Sequence, residues 1–200
     1  MVFSFENAVG KNDPLFNRSS ELKVLLEKAL SIDYGQIYIE SGDNAADEGI
    51  NEVFEGQKNG LLGSSLEGVL FLVTGLNGGI LKFKAVFFDD EPPIDDKWEE
   101  IVEASINIQD GGIQFREWGM GEDEGHPLAL ETGWHRVRYC AVGMDMDHDF
   151  EDDEEEEKPP ETEYYEIIFW PGSKADDQIL KCTSERAKYW HSEWGSAKKP

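Results

Sequence analysis

Two hydrophobic periods run along this chain, one near its start and another through most of the remainder. Over residues 19–30 (SSELKVLLEKAL), Leu22, Leu25, Leu26, Ala29 and Leu30 fall three and four apart, and Glu21, Lys23, Glu27 and Lys28 take the other faces. That spacing predicts an amphipathic helix. Ser19 or Ser20 would cap it, with Glu21 at the favourable positive end of its dipole. Beyond residue 30 the period changes to two. Residues 31–40 (SIDYGQIYIE) alternate and are rich in β-branched and aromatic side chains, which predicts a strand; the polar, glycine-rich residues 41–60 predict a loop.

From there the pattern is strand after strand. Residues 68–74 (GVLFLVT) are continuously apolar, as a strand buried on both faces would be. An Asn-Gly turn at 76–79 leads into residues 80–88, where Leu81, Phe83, Ala85 and Phe87 alternate with Lys82 and Lys84. A Pro-bearing acidic loop, DDEPPIDD at 89–96, precedes residues 98–109, in which Val102, Ala104, Ile106 and Ile108 alternate with Glu103, Ser105 and Asn107. Further strands are predicted at 113–118, 127–130, 134–142 and 164–170, and a helix over 183–194 with Thr183 as its cap.

This order predicts a mainly β fold: an antiparallel β-sandwich or flattened barrel of about eight strands, with an N-terminal helix and a C-terminal helix. The expected organisation is an N-terminal extension over 1–30, a β-sandwich domain over 31–194 that includes an acidic insertion at 145–163, and a flexible tail at 195–200. Hydrophobic residues make up 39% of the chain and aromatics 12%, enough to build a core, so an intrinsically disordered chain is excluded. Most of the six tryptophans are expected to close that core.

Charge changes the picture most. Eighteen basic residues against 43 acidic ones give a net charge of −25. Such a surface repels phosphates and anionic headgroups, so neither direct nucleic-acid binding nor a membrane surface is expected. The imbalance is concentrated: residues 40–55, 89–100 and 145–163 carry −6, −6 and −11, or −23 of the total. A cluster of like charges steers a basic protein toward it. If the fold gathers these loops, the molecule has an anionic pole; if it spreads them, the acid serves solubility alone.

Candidate chemistry is sparse. Asp145, Asp147 and Asp149 take positions one, three and five of an EF-hand-like register, with Glu156 at position twelve. Phe150 stands where the sharp turn requires glycine, so a dedicated calcium site is not expected, only loose cation binding. The two cysteines, Cys140 and Cys182, do not make a secreted disulfide framework. The first residues lack a signal-peptide pattern and no apolar run approaches a membrane span, so a reduced cytoplasmic setting is expected. His126, His135, His148 and His191 are scattered without metal-ligand spacing. Neither a nucleophile elbow nor a phosphate loop is present. The expectation is a binding protein without cofactor rather than an enzyme.

The segments FEGQKNGL (54–61), WEEIVEASI (98–106), HRVRYCAVGMD (135–145), IIFWP (167–171) and TSERAKYWH (183–191) resemble an ordered series in a β-rich family of bacterial proteins common in actinobacteria, a likeness that implies no activity. The order of elements also resembles that of the competence-associated inhibitor of a bacterial DNA-entry nuclease. The resemblance lies in LSIDYGQIYI, in FEGQKN before an apolar strand, in WEEIVEASINI followed by GGIQF, and in RVRYCAV. The inhibitor family is small, acidic and β-rich, and the resemblance implies occupation of a basic partner, a nuclease or toxin, in the manner of an inhibitor or immunity protein. The residues expected to make that contact are Asp89, Asp90, Glu91, Asp95 and Asp96, together with Glu151, Asp152, Asp153, Glu154, Glu155, Glu156 and Glu157. The competing expectation is a structural or housekeeping sandwich that works through an apolar sheet face. A hydrolase or calcium-dependent protein comes third.

Overall fold

Two β-sheets packed face to face bury the chain's apolar residues between them. The computed structural model describes residues 22–42, 50–120, 124–146 and 163–195. In chain order the elements are β1 (Leu22–Asp33), β2 (Gln36–Ser41), the one-turn helix α1 (Ile50–Val53), β3 (Leu62–Gly63), β4 (Val69–Val73), β5 (Gly78–Phe88) and β6 (Glu100–Ile108). They continue with β7 (Ile113–Glu117), β8 (His126–Leu128), β9 (Gly133–Val142), β10 (Tyr164–Pro171), β11 (Gln178–Lys181) and α2 (Glu185–Glu193). The larger sheet has six strands in the order β1-β5-β10-β9-β6-β11, and the smaller has five in the order β3-β4-β2-β7-β8. Neither sheet closes on itself, so the architecture is a sandwich and not a barrel.

Side chains alternate across each strand as the period of two requires. Val102, Ala104 and Ile106 of β6, Val137 and Tyr139 of β9, and Tyr165, Ile167 and Phe169 of β10 are buried against Ile37, Ile39, Leu70, Leu72 and Phe115 of the smaller sheet. All five residues of β4 are buried. Its second face is covered by Phe54, which follows α1: its ring lies 5.9 Å from Phe71 and 6.4 Å from Trp194 beyond α2. Truncating a wholly buried leucine such as Leu72 to alanine would cost roughly 2–5 kcal/mol.

Several expectations are corrected. Leu22–Asp33 is an edge strand, not a helix, paired antiparallel with β5 from Leu22↔Phe88 to Asp33↔Gly78. Leu22, Val24, Leu26, Leu30 and Ile32 also fit a period of two, so local pattern allowed both answers. The long unpaired flank of β5 decided between them, with a register shift between Val24 and Leu26 absorbing the misfit. The reading of 31–40 as one strand likewise gives way to a tight turn at Tyr34 and Gly35. Secondly, eleven strands are formed among the described residues instead of about eight, the additions being β1, β3 and β11. Thirdly, the sandwich is not wholly antiparallel, because β10 runs parallel to β5. The C-terminal helix forms over Glu185–Glu193 with Ser184 as the cap in place of Thr183: the Ser184 hydroxyl accepts the Ala187 amide at 3.1 Å.

That parallel pair has a consequence for the acidic loops. Strands β10 and β9 lie between β5 and β6, and pairing makes β6 parallel to β5. The connection 89–99 must therefore travel the length of the larger sheet across its outer face. The DDEPPIDD stretch is this crossover.

Candidate functional site

The outer face of the larger sheet carries a small apolar cluster of Val86, Trp98, Ile101, Cys140, Ile168 and Trp170. Beside it lies a buried ionic network. Glu103 and Arg138 are direct partners across β6 and β9. Arg138 donates from Nε to Glu103 Oε1 at 2.8 Å and from Nη1 to the carbonyls of Pro92 and Pro93 at 2.9 and 3.2 Å. Its guanidinium lies 5.2 Å from the centre of the Trp170 ring. Two positions along β9, Arg136 donates from Nη2 to Glu103 Oε2 at 3.0 Å and from Nη1 to Ser105 Oγ and the Ala175 carbonyl at 2.8 and 3.1 Å. One buried carboxylate thus holds two guanidiniums, which in turn hold the 92–93 and 175 backbones. Charges this deep persist only when paired and hydrogen-bonded.

The far end of the crossover is fixed as firmly. Trp98 is buried, with its ring 5.2 Å from that of Tyr164 and the Lys97 ammonium 4.9 Å from its centre. Lys181 donates to the Asp96 carbonyl at 2.9 Å and to that of Trp98, and the Glu99 amide donates to the Ala141 carbonyl at 3.0 Å. Along this connection Asp89, Asp90, Glu91, Asp95 and Asp96 are all exposed. Asp95 bonds Lys97 at 2.9 Å, and that hydrogen bond holds its carboxyl below the usual range. The crossover is an acidic strip on a rigid base.

The insertion leaves the described part of the chain at Met146 and returns at Glu163. Both points adjoin the Trp98 end of the strip. The Gly143 amide donates to Glu99 Oε2 at 2.8 Å, and buried Glu163 accepts the Tyr165 hydroxyl and, at its carbonyl, the Lys82 amide at 3.1 Å. Glu151, Asp152, Asp153, Glu154, Glu155, Glu156 and Glu157 lie outside the described residues, as do Asp147 and Asp149. The third acidic stretch leaves from the other end of the sandwich, where the Gln109 amide donates to Ser41 Oγ at 2.7 Å and the Gly42 amide to the Gly112 carbonyl at 3.0 Å. Its first member, Glu40, is nearly buried and bonded to Arg116 at 2.7 Å. Two acidic stretches, not three, are anchored together.

Asp145 is engaged within the fold. Its two carboxylate oxygens accept the Glu185 and Arg186 amides, each at 2.8 Å, at the first turn of α2. Buried Glu100 accepts the Thr183 and Ser184 amides at 3.1 and 2.7 Å beside it. Both cysteines are free. Cys140 faces the outer cluster and burial raises its pKa; Cys182 packs against the inter-sheet core, with its thiol pushed up to about 11 by burial and by Glu100. Among the described residues no three His, Cys, Asp or Glu side chains converge as a metal site would require. No described helix is long and apolar enough to cross a membrane.

No protein-family model matches the chain, and no curated protein matches it by sequence. Solved structures do. The crystal structure of ComJ from Bacillus subtilis, inhibitor of the DNA-degrading activity of NucA, superposes with a TM-score of 0.51 at 15% identity, covering 76% of this chain and 100% of that one. The fold resembles that of ComJ. A crocagin biosynthetic protein, gene J, matches with a TM-score of 0.48 at 15% identity, over 76% of this chain and 99% of that one.

Sequence reasoning missed the Glu103, Arg136 and Arg138 network, although a signal was present. HRVRYCAV puts two arginines on the polar face of one strand, and EASI puts a glutamate on the polar face of another. Opposite charges on one face are the cross-strand pairs that adjoining strands favour. What the sequence lacked was the adjacency of β6 and β9.

Proposed function

We propose that this protein binds a basic partner protein, a DNA-degrading nuclease being the leading class, and blocks it with the acidic crossover, aided by the carboxylates of residues 151–157. The observation that carries this reading is the set of five exposed carboxylates, Asp89, Asp90, Glu91, Asp95 and Asp96, on a connection pinned at both ends to a buried ionic and aromatic base. The ComJ fold supports it, since that neighbour is an inhibitor of such an activity. Carboxylates on the strip would lie where the nuclease holds phosphates. The pinned base lowers the ordering cost of binding, and the surrounding charge raises the association rate. No catalytic step is assigned to the chain.

Inhibition assays test this, with purified NucA as the first nuclease and basic nucleases encoded beside this protein as the next. The expected result is stoichiometric inhibition that weakens steeply with added salt and is lost when the five carboxylates become amides. Salt-insensitive inhibition, or none with any of these nucleases, would overturn the reading. Deleting residues 147–162 without change in affinity would favour a module that works through another face.

A further inference from the structure

The turn between β1 and β2 is made by Tyr34 and Gly35 with φ of 58° and 66°. Asparagine, aspartate or glycine takes such positions at least cost, and a tyrosine there is strained. Burial does not offset the strain, because Tyr34 is 62% exposed. Its ring lies 4.6 Å from that of Trp118, tilted by 53°, and Trp118 is itself 45% exposed. Trp118 borders a groove of about 200 Å³ shared with Tyr38, Glu40, Arg116 and Glu117. The ionic groups there are already paired, Arg116 with Glu40 and Lys28 with Glu117, each at 2.7 Å. The exposed ring faces remain. Folding alone does not explain a strained, solvent-facing tyrosine against a solvent-facing tryptophan.

We propose that Tyr34 and Trp118 form an aromatic anchor that receives an arginine or lysine side chain of the partner protein. The ring faces carry the negative lobe of the aromatic quadrupole, and a net charge of −25 favours a cation over an anion there. The pair sits at the same end of the sandwich as the insertion's anchors: Glu117 pairs with Ile37 beside the Tyr34 turn, and the Gly75 amide, in the adjoining turn, donates to the Tyr165 hydroxyl at 2.7 Å. This inference rests on the reading of a basic partner. It divides the labour, with the acidic stretches drawing the partner in and the aromatic pair holding it.

The test uses the full chain and two peptides, acetyl-Gly-Arg-Gly-Arg-Gly amide and its citrulline counterpart, followed through the Trp118 indole N–H resonance. The arginine peptide should bind about tenfold more tightly than the citrulline one. Tyr34→Asn suits the turn better, so it should keep or raise the melting temperature while abolishing the preference. Equal binding of the two peptides, or a preference that survives Tyr34→Asn, overturns the proposal. So does an indole shift that depends on protein concentration without peptide, which would mark contact with a second copy. Neutralising the five crossover carboxylates should leave the arginine preference in place. Absence of nuclease inhibition by the unaltered chain, with its arginine preference present, therefore counts against the strip alone.

Discussion

Glu103 and Arg138 meet in register across β6 and β9, with Arg138 Nε 2.8 Å from Glu103 Oε1, and the crossover backbone rests on the same guanidinium. Stability of the sheet and placement of the acidic strip are thereby tied to one ion pair. Glu103→Gln would leave buried Arg136 without its counter-charge and buried Arg138 with only exposed Glu91 at 3.6 Å. The expected cost is about 3–5 kcal/mol, read by urea unfolding. Amide exchange in residues 94–99 should quicken before the rest of the sheet opens. A loss below about 1 kcal/mol would mean that the network is exchangeable with water.

Helix α2 is seated by close backbone approach. A Cβ at Gly60 would stand 2.0 Å from the Trp190 carbonyl oxygen, and one at Gly195 would stand 2.1 Å from that of Lys58. Neither neighbour is a flexible side-chain end. Gly60→Ala should therefore cost at least about 1–3 kcal/mol and displace the helix. Gly78→Ala is the control, since its nearest neighbour is the Ile32 carbonyl at 3.7 Å. It should be neutral or stabilising by about 0.4–1 kcal/mol. Thermal melts of the two variants compare them directly.

Protonation acts on the same seam. His191 Nδ1 accepts the Gly60 amide at 2.9 Å, and burial lowers the pKa of the ring. In the unfolded chain that pKa returns to about 6.5. Above it the ring is neutral in both states and its contribution is complete. As pH falls from there toward the lower folded value, the unfolded chain binds the proton first and stability declines. His135, also lowered by burial, adds in the same direction, whereas Glu166, raised by burial, opposes it. Comparing the melting temperature of the protein with that of His191→Asn between about pH 7.5 and 5 isolates the first effect. The variant keeps an acceptor without titrating, so its profile should be the flatter one.

How much of this was legible in the chain depends on how far apart the contacting residues lie. Alternation identified the inward residues of β5 and β6, and continuous apolarity identified β4, because both are local signals. The first strand reads as a helix because Leu22, Leu26 and Leu30 satisfy a helix and a strand equally over one short window. Only β5, far along the chain, distinguishes them. The acidic strip was legible as composition and as a set of residues. Its course over the sheet was not, since a crossover is recognised only when the strands on either side prove parallel. Tyr34 shows the same limit: a strand pattern hid a turn, and with it the strained ring beside Trp118.

The strip's charges and its base make separable predictions about the proposed complex. Asp89, Asp90, Glu91, Asp95 and Asp96 are exposed, and beyond the Lys97 contact of Asp95 and a 3.6 Å approach of Glu91 to Arg138 they support nothing in the fold. Converting all five to amides relieves repulsion among like charges, so the melting temperature should hold or rise. Binding to a basic nuclease should slow in association by at least about tenfold at low salt, while dissociation changes less. The gap between variant and parent should close as salt is added, because the Debye length shrinks from about 10 Å at 0.1 M to about 3 Å at 1 M. Trp118→Ala should show the converse, faster dissociation with little salt dependence. Stopped-flow association and surface-based dissociation measurements read the two rates. If the five amides altered dissociation alone, the carboxylates would hold the nuclease without steering it.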